Sequence, residues 1–297
     1  MSDMEFREMQ YFTAVAKEKS FTRAAERLHV TQPTLSKTIR HLEEKLGVEL
    51  FDRQKRQIEL TDVGEALLFE SELLLRQLED LPNHVFDITQ SKRGQIRLGL
   101  PPLIGSLFFT KFLNTFHSFY PDIQVIITEA GGHTLGDALD NGELDVIATV
   151  LPAGSAFTEI PFITEELYAY LPVTHPLAAR KQIRLEELAK DAFVLFTEEF
   201  SLHHVVREAC EQAGFHPQII EESGQWDFLC LSVAQGNAVT ILPRTIMQKM
   251  NVHGVRAIPL KRRIPWQLGI ATAKGRYMSF ASREFIRFLT EEYSFDA

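Results

Sequence analysis

The chain has 297 residues, of which 45% are hydrophobic and 24% are charged, and its formal net charge at pH 7 is −9. This length predicts two or three domains, and the composition excludes a fibrous or disordered chain. No apolar run reaches the length of a membrane span, and the polar, acidic N-terminus is not typical of a signal peptide. Two cysteines, Cys210 and Cys230, cannot form a disulfide framework, so we expect a cytoplasmic protein without membrane contact.

The charge is unevenly distributed along the chain. Residues 21–56 contain 8 Lys and Arg against 5 Asp and Glu, a net charge of +3, whereas residues 94–297 contain 17 against 23, a net charge of −6. The negative total argues against a generic polyanion binder. Because contact with DNA depends on local charge, the N-terminal segment still qualifies as a DNA-binding region.

Three helices are predicted at the N-terminus. The first covers residues 4–18, and Ser20 is a suitable N-cap for a short second helix that ends near Leu28. After the turn "HVT", Thr31 caps a third helix, Pro33 lies in its first turn, and Gly47 ends it. The third helix has one apolar stripe, formed by Leu35, Ile39, Leu42 and Leu46.

A small β-hairpin is predicted next, because apolar residues at 50–51 and 58–60 flank the basic tip "RQKR". Three helices and such a wing form a winged helix-turn-helix, which leaves the polar face of the third helix free to enter the major groove. Gln can read adenine, Lys and Arg can read guanine, and hydroxyls and wing arginines suit phosphate. The alternative is a solvated helix face. The combination of turn, small-residue packing and wing favours DNA contacts by Gln32, Thr34, Ser36, Lys37, Arg40, Arg53 and Arg56.

A long helix follows, capped by Thr61 or Asp62, with Asp62 and Glu65 in capping-box spacing. Its apolar side chains alternate by four and three, which is a heptad seam and predicts pairing with a second copy. The alternative is that the helix packs on its own domain. Pro82 should kink or divide the helix. The seam consists of Leu67, Ser71, Leu74, Leu78, Leu81, Val85 and Ile88, and we expect Leu67, Leu74, Leu78 and Leu81 to form the dimer contact.

Beyond the polar hinge at 90–95, strands and helices alternate, which predicts a parallel α/β sheet arranged in two lobes. The predicted strands are 95–100, 123–129, 145–150, 165–171, 193–197, 217–222, 238–242, 255–259 and 266–272. The predicted helices are 103–119, 134–141, 202–213, 226–235 and 279–293.

The segment "FTRAAERLHVTQPTLSKTIRHLEEKLGVELFDR", followed by "LTDVGE", resembles the signature of LysR-type transcriptional regulators, and the resemblance continues over the whole chain. It implies a winged helix-turn-helix domain at 1–61, a linker and dimerisation helix at 62–89, and a periplasmic-binding-protein-like (Rossmann-like) effector domain at 90–297. In that domain, lobe I would be 94–165 plus 267–297, and lobe II 166–266. The resemblance also adds Pro33 to the DNA contacts. It implies a tetramer of linker-helix dimers that binds promoter DNA, with RNA polymerase as a further partner.

The effector site of that family lies between the lobes, and the carboxyl ends of strands and the starts of helices converge there. The residues expected to bind the effector are Pro101, Pro102, Ser106, Thr128, Gly131, Thr149, Phe200, Ser201, His203, Gln225 and Trp226. For each residue taken singly, loop capping explains the sequence equally well. Because no strong cation is among them, we expect a small mono-anion.

The stretches "IRLGLPPLIGS", "LDVIATVLP", "ESGQWDFLCLSVAQG" and "ILP" are most similar to CidR-like members of the family. That similarity implies a short-chain carboxylate effector, since CidR-like regulators respond to acetate or pyruvate-type metabolism. The family pattern GxGIxxLP is here "GNAVTILP", so Asn237 and Ala238 alter one edge of the expected pocket.

Three other functions are alternatives for this sequence. An enzyme is disfavoured, because no catalytic motif is present and the adjacent pairs Glu165-Glu166 and Glu198-Glu199 do not converge. His203-His204 is not a metal motif, and no metal or cofactor is expected.

A redox-sensing regulator that uses Cys210 and Cys230 is the alternative function, although buried apolar cysteines are the simpler interpretation. A passive architectural DNA-binding protein leaves the large acidic domain unexplained.

Overall fold

The computed structural model describes residues 4–52, 58–88, 93–249 and 253–293. The chain divides into two compact units, residues 1–85 and residues 86–297. The first unit is helical with a two-stranded hairpin, and the second is a mixed α/β domain.

The first unit begins with three helices whose ends follow the predicted caps. The Ser20 hydroxyl accepts the Arg23 N–H at 3.3 Å, and the Thr31 hydroxyl accepts the Thr34 N–H at 3.4 Å. Gly47 ends the third helix in the left-handed conformation, with φ of 70°. The helices are α1 Phe6–Glu18, α2 Phe21–Arg27 and α3 Gln32–Leu46.

The predicted apolar stripe of α3 forms the centre of this unit. Leu35, Ile39 and Leu42 are fully buried, whereas Leu46 at the end of the stripe is only half-buried. Ala24 and Ala25 of α2 are also buried in this core, because their small side chains permit close helix packing. The core fixes which face of α3 points outward.

The wing pairs β1 Phe51–Asp52 with β2 Glu59–Leu60 in antiparallel register. Its tip, with Arg53 and Arg56, lies outside the described residues. Thr61 then caps the next helix by accepting the Gly64 N–H at 3.0 Å. Gly64 approaches the Leu50 carbonyl so closely that a side chain would not fit.

The long helix α4 spans Asp62–Ile88 and continues through Pro82. Of the two predicted effects of Pro82, a kink or a division, the division is therefore wrong, because a proline removes only one helix hydrogen bond and the flanking bonds keep the backbone helical. The residues of the heptad seam fall into a buried group and an exposed group. Leu67 and Ser71 pack on the first unit, whereas Leu74, Leu78 and Leu81 are 42%, 43% and 48% exposed. The side chains of Val85 and Ile88 lie outside the described part.

Within the described residues of the second unit, seven strands form one sheet in the order β10-β6-β11-β5-β3-β4, with β9 also paired to β6. The strands are β3 Gly94–Leu100, β4 Ile123–Glu129, β5 Val146–Val150, β6 Phe157–Pro172, β7 Ala192–Phe196, β8 Gln218–Ser223, β9 Thr240–Pro243, β10 Val255–Pro259 and β11 Pro265–Ala273. The pairs β3–β4, β3–β5 and β7–β8 are parallel, as the alternation predicts. The pairs β6–β9, β6–β10, β6–β11 and β5–β11 are antiparallel, so the sheet is mixed rather than parallel throughout.

Strands β6 and β11 pass antiparallel between two lobes, which gives the periplasmic-binding-protein-like architecture. Lobe I contains β3, β4 and β5, and lobe II contains β7, β8, β9 and β10. Strand β6 begins eight residues before the predicted start at Glu165. This added part contains Pro161, which is unusual within a strand because proline has no N–H to donate to the neighbouring strand. A register shift at Leu268/Gly269 accommodates it in the structure.

Helices are present in both lobes. They are α5 Pro102–Ile104, α6 Thr110–Phe119, α7 Gly132–Asp140, α8 Ser201–Gln212, α9 Trp226–Ala234, α10 Thr245–Lys249 and α11 Phe280–Arg287. A π-helical segment, Gly105–Phe109, joins α5 to α6, so one continuous helix starts at the cleft. Among the described residues, no helix combines the length and apolarity that a membrane span requires.

Candidate functional site

The outer face of α3 is the first candidate surface. Gln32, Pro33, Thr34, Lys37 and Arg40 are exposed, and Ser36 is half-exposed. They lie on the side of the helix opposite the buried stripe. This face therefore presents hydroxyl, amide and cationic groups together, a set suited to the edges of bases and to phosphate.

An ion pair holds α3 against α1. The Lys45 ammonium lies 2.8 Å from the Glu8 carboxylate, whose side chain is 5% exposed. The Glu5 N–H also donates to Glu8, at 2.8 Å. Burial raises the pKa of Glu8, but the hydrogen bonds from Lys45 and Glu5 outweigh burial and leave this pKa below its usual value. The pair therefore joins the C-terminal end of α3 to the first turn of α1 through a largely buried charged contact.

Glu43 is a buried carboxylate near the end of α3. It is 7% exposed, whereas the adjacent Glu44 is exposed. Its carboxylate accepts the backbone N–H groups of Leu50 at 2.9 Å and Phe51 at 3.3 Å. Glu43 therefore anchors the start of the wing to α3. Glu43 lies four residues after Ile39 and therefore borders the apolar stripe, whereas Glu44 is on the exposed side; only the tertiary structure reveals its backbone partners.

Arg7 is a residue that the sequence did not single out. Its guanidinium donates to the Tyr11 hydroxyl at 2.8 Å. Both side chains line a groove of about 560 Å³ that Lys37 and Arg40 of α3 also line. Only the packing of α1 against α3 brings this cation beside the outer face.

The second candidate site is a small cavity between the lobes, with a volume of about 20 Å³. Four predicted residues line it: Pro101 and Thr149 from lobe I, and Phe200 and Ser201 from lobe II. The residues that the sequence did not indicate are Leu103, Ile104, Gly132, Val150, Phe196, Leu202 and Trp266. The volume is sufficient for one water molecule, so the lobes are closed on each other in this conformation.

Two glycines permit this closure. A Cβ on Gly131 would lie 2.5 Å from the Glu199 carbonyl oxygen, and a Cβ on Gly132 would lie 2.9 Å from the Ser201 hydroxyl. The Thr134 hydroxyl donates to the Glu199 carboxylate across the same junction at 3.3 Å. Gly131 therefore contributes to the lobe contact at the rim of the cavity rather than to its lining.

Other predicted effector residues do not line the cavity: Pro102, Ser106, Thr128, His203, Gln225 and Trp226. Ser106 and Thr128 are exposed, and Gln225 is the N-cap of α9. His203 is 1% exposed, and its Nδ1 lies 2.6 Å from the Phe196 carbonyl. This histidine stabilises the β7–α8 turn, a local role that its position in the sequence did not reveal.

The two helix starts at the otherwise largely apolar cavity favour an anion. The cavity lies at the starts of two helices, at Pro101 and Phe200, and neither start has a side-chain cap. Backbone N–H groups and the helix dipole stabilise negative charge at such positions. Among the described residues that line the cavity, none is a lysine or arginine. The described residues also contain no group of three His, Cys, Asp or Glu that could hold a metal.

The two cysteines are buried in different helices of lobe II, Cys210 in α8 and Cys230 in α9. Burial raises the pKa of each thiol to about 12, with a smaller contribution from Glu211 at Cys210 and from Asp227 at Cys230. Because the thiolate is the reactive form, both side chains have the character of inert core residues.

Comparison with known proteins covers both units. The model for the bacterial regulatory helix-turn-helix protein of the lysR family matches residues 6–65, and the model for the LysR substrate binding domain matches residues 89–294. The HTH-type transcriptional regulator YwbI of Bacillus subtilis is 39% identical over 295 residues, which are 99% of this chain and 98% of that protein.

Two solved structures share the fold. Full-length OxyR from Pseudomonas aeruginosa, in a variant form, is 29% identical with a TM-score of 0.71, covering 97% of this chain and 94% of that one. Full-length CbnR in complex with its target DNA is 22% identical with a TM-score of 0.73, covering 96% of this chain and 99% of that one.

Proposed function

Because this chain belongs to the LysR family of DNA-binding transcriptional regulators, we propose that a short-chain carboxylate in the interlobe cleft controls its binding to promoter DNA. Residues 1–61 form the DNA-binding domain, 62–89 the linker helix and 90–297 the effector domain. The protein acts in the cytoplasm as a regulator rather than an enzyme, with RNA polymerase as a further partner.

The single observation that carries the effector site is the convergence of both lobes on one cavity. Pro101 and Thr149 from lobe I meet Phe200 and Ser201 from lobe II. Two uncapped helix starts and hydroxyl groups supply donors, and lysine and arginine do not occur in the described lining. This set suits one carboxylate better than a dicarboxylate, and the similarity to CidR-like regulators supports a short chain.

The exposed face of α3 supports direct reading of bases. Lys37 and Arg40 suit guanine, Gln32 suits adenine, and Thr34, Ser36 and the wing arginines Arg53 and Arg56 suit phosphate. Pro33 lies in the first turn of the helix beside Gln32. Arg7, next to Lys37 and Arg40 in the groove, adds a phosphate contact.

The exposed part of the seam supports assembly through α4. Leu74, Leu78 and Leu81 leave an apolar row in solvent on a helix whose earlier seam positions are already packed. A second copy of α4 covers such a row. The complete assembly is a tetramer formed from two such dimers, as the family resemblance implies.

Selection of bound sequences from random duplex DNA tests the DNA surface. Lys37→Ala and Gln32→Ala each reduce base discrimination by about 1–3 kcal/mol at one position, whereas Arg56→Ala lowers the salt slope by about 1 and leaves the preferred sequence unchanged. Lys181→Ala is the matched control, because Lys181 is exposed in the second unit. Identical selected sequences and identical salt slopes in all four variants contradict this DNA surface.

Thermal unfolding in the presence of metabolite carboxylates tests the effector site. A ligand that binds only the native state raises the unfolding temperature, and at 100 times its Kd it adds about 2.7 kcal/mol. Ser201→Val removes a hydroxyl from the cavity and weakens the response. If no carboxylate shifts unfolding of the wild-type protein, the proposed effector class is wrong.

A further inference from the structure

A groove on lobe II combines an apolar floor with a basic rim. Its volume is about 610 Å³, which is within the range of small-molecule sites. Val205 and Ala209 of α8 and Ile264, in the connection from β10 to β11, are apolar parts of its lining. These side chains are half-buried and pack against the core of the domain. The groove and the interlobe cavity have no described lining residue in common, so the groove is a second position for a ligand.

The rim of this groove is basic, although residues 94–297 carry a net charge of −6. Four cations and two carboxylates line the groove, which gives its lining a net charge of +2. These residues are Arg184, Lys261, Arg262, Arg263, Glu186 and Glu208. An anion responds to local charge rather than to the total, and the groove therefore complements a doubly negative group.

Arg184 and Lys261 lie side by side on this rim. Ile183 and Leu260 form a parallel β-bridge, in which the Lys261 N–H donates to the Ile183 carbonyl at 2.8 Å. Both bridge residues are buried. Because successive residues of extended chain point to opposite faces, the residues that follow them, Arg184 and Lys261, point outward together. Both side chains line the groove.

These two cations are weakly engaged by the protein. Within the described part of the chain, the Lys261 ammonium forms no hydrogen bond and no ion pair. The Arg184 guanidinium approaches Glu187 only to 3.9 Å, and Glu187 is closer to Arg180, at 3.3 Å. Arg184 and Lys261 are therefore available for an external anion.

The other two cations of the rim are already held. Arg262 donates to the Gln212 side-chain carbonyl at 3.1 Å, which ties the connection from β10 to β11 to α8 across the groove. Arg263 pairs with Glu166 at 2.7 Å. These contacts fix one wall of the groove before a ligand arrives, which lowers the entropic cost of binding.

We propose that this groove binds an organic phosphate monoester with an apolar body, as a second ligand of the effector domain. The phosphate, with a charge of about −1.5 to −2 at pH 7, lies against Arg184 and Lys261, and the apolar body covers Val205 and Ala209. The interlobe cavity has no lysine or arginine in its described lining, and we assign it a mono-anion. The two sites thus differ in ligand class, and this inference does not depend on the proposed function.

Calorimetric titration of the full-length protein tests the proposal. Phenyl phosphate supplies a ring and a doubly charged group, inorganic phosphate lacks the ring, and benzoate has the ring with a single charge. We expect phenyl phosphate to bind at least about tenfold more tightly than either, because the ring buries apolar area and the second charge meets a second cation. Added salt should weaken its binding, since the rim is exposed.

Three variants test the groove itself. Lys261→Met weakens phenyl phosphate binding at least about fivefold, because a hydrogen bond to a charged group is lost. Lys190→Met is the matched control, since Lys190 is an exposed lysine of the same lobe that does not line the groove. It leaves the affinity unchanged. Ala209→Leu fills the floor and weakens phenyl phosphate binding more than inorganic phosphate binding.

Two further variants show whether the ligand binds elsewhere. Phosphate also suits the outer face of α3, and an anion also suits the interlobe cavity. Lys37→Ala and Ser201→Val each remove one group from these sites. Both leave the affinity for phenyl phosphate unchanged.

The contrary outcomes are distinct. Equal affinities for phenyl phosphate and benzoate overturn the phosphate class. An affinity that Lys261→Met and Lys190→Met reduce equally, or that Lys37→Ala or Ser201→Val reduces, overturns the assignment to this groove. If phenyl phosphate does not bind the wild-type protein, the inference fails, whereas the proposed function concerns another cavity and is unaffected. Lys261 is exposed, so its replacement leaves the core intact and the test does not depend on Ala209→Leu.

Discussion

The carboxylate of Glu43 accepts the backbone N–H of Leu50 at 2.9 Å, so the end of the recognition helix α3 directly holds the first residues of the wing. The same carboxylate also accepts the Phe51 N–H. Two elements that would contact DNA on different surfaces are thus linked through one buried side chain. The relative placement of helix and wing depends on this contact as well as on the apolar core.

We therefore predict that Glu43→Ala destabilises the first unit by about 1–3 kcal/mol, because two buried N–H groups lose their acceptor. Glu44→Ala, at an exposed neighbour, changes stability by less than about 0.5 kcal/mol. Both tryptophans, Trp226 and Trp266, are in the second unit. Circular dichroism in urea therefore follows the unfolding of both units. Tryptophan fluorescence follows the second unit alone and serves as an internal reference. Equal urea midpoints for both variants contradict the role of Glu43.

The Glu8–Lys45 pair predicts a pH dependence. The folded pKa of Glu8 is below its unfolded value, so its contribution is present above the unfolded pKa, about 4.3, and is lost as pH falls through the folded pKa. Glu8→Gln therefore lowers stability at pH 7 and has progressively less effect below about pH 4. Urea midpoints at several pH values measure this difference. The exposed Glu26→Gln is the control, and a difference for Glu8→Gln that is independent of pH contradicts the argument.

We expect charged substitutions in the exposed part of the α4 seam to weaken assembly. Leu74→Lys combined with Leu78→Lys places two charges in the proposed interface, and sedimentation velocity should show a smaller species. The control combines Val63→Lys with Phe69→Lys, which are similarly exposed apolar positions of the same helix outside the seam. It should sediment like the wild-type protein. An unchanged sedimentation coefficient for the seam variant contradicts pairing through this row.

The burial of the cysteines predicts resistance to oxidation, although OxyR from Pseudomonas aeruginosa has a similar fold. With each thiol pKa raised to about 12, the native chain contains at least about a hundredfold less thiolate at pH 8 than the unfolded chain. Alkylation by iodoacetamide should be correspondingly slow until urea is added. The double variant Cys210→Ser, Cys230→Ser should bind DNA like the wild-type protein with or without peroxide. Loss of a peroxide response in this variant supports the redox alternative instead.

Much of the fold followed from local patterns. Ser20, Thr31 and Gly47 limit their helices as the capping rules predict, and the stripe from Leu35 to Leu42 determines the buried face of α3. The strand at 123–129 and the strand at 255–259 have the predicted limits. Pro82 does not divide α4, and Pro161 lies inside β6, because a long helix and a sheet bulge each tolerate one missing N–H.

The sites were predictable only in part. Strand ends and helix starts located Pro101, Thr149, Phe200 and Ser201, because the α/β alternation places such junctions on one cleft. Trp266 was missed because it comes from a crossing strand whose partner is distant in sequence.

The sequence by itself determined the helix-turn-helix, the polar face of α3, the heptad seam and the family, because these depend on spacings of a few residues along one element. The tertiary structure decided which residues of each pattern are exposed and which are packed against other elements. It buried Glu43 beneath the wing, packed Leu67 and Ser71 while exposing Leu74 and Leu78, and placed Trp266 beside Glu165. These distinctions depend on contacts between separate elements of the fold, which spacings within one element do not encode.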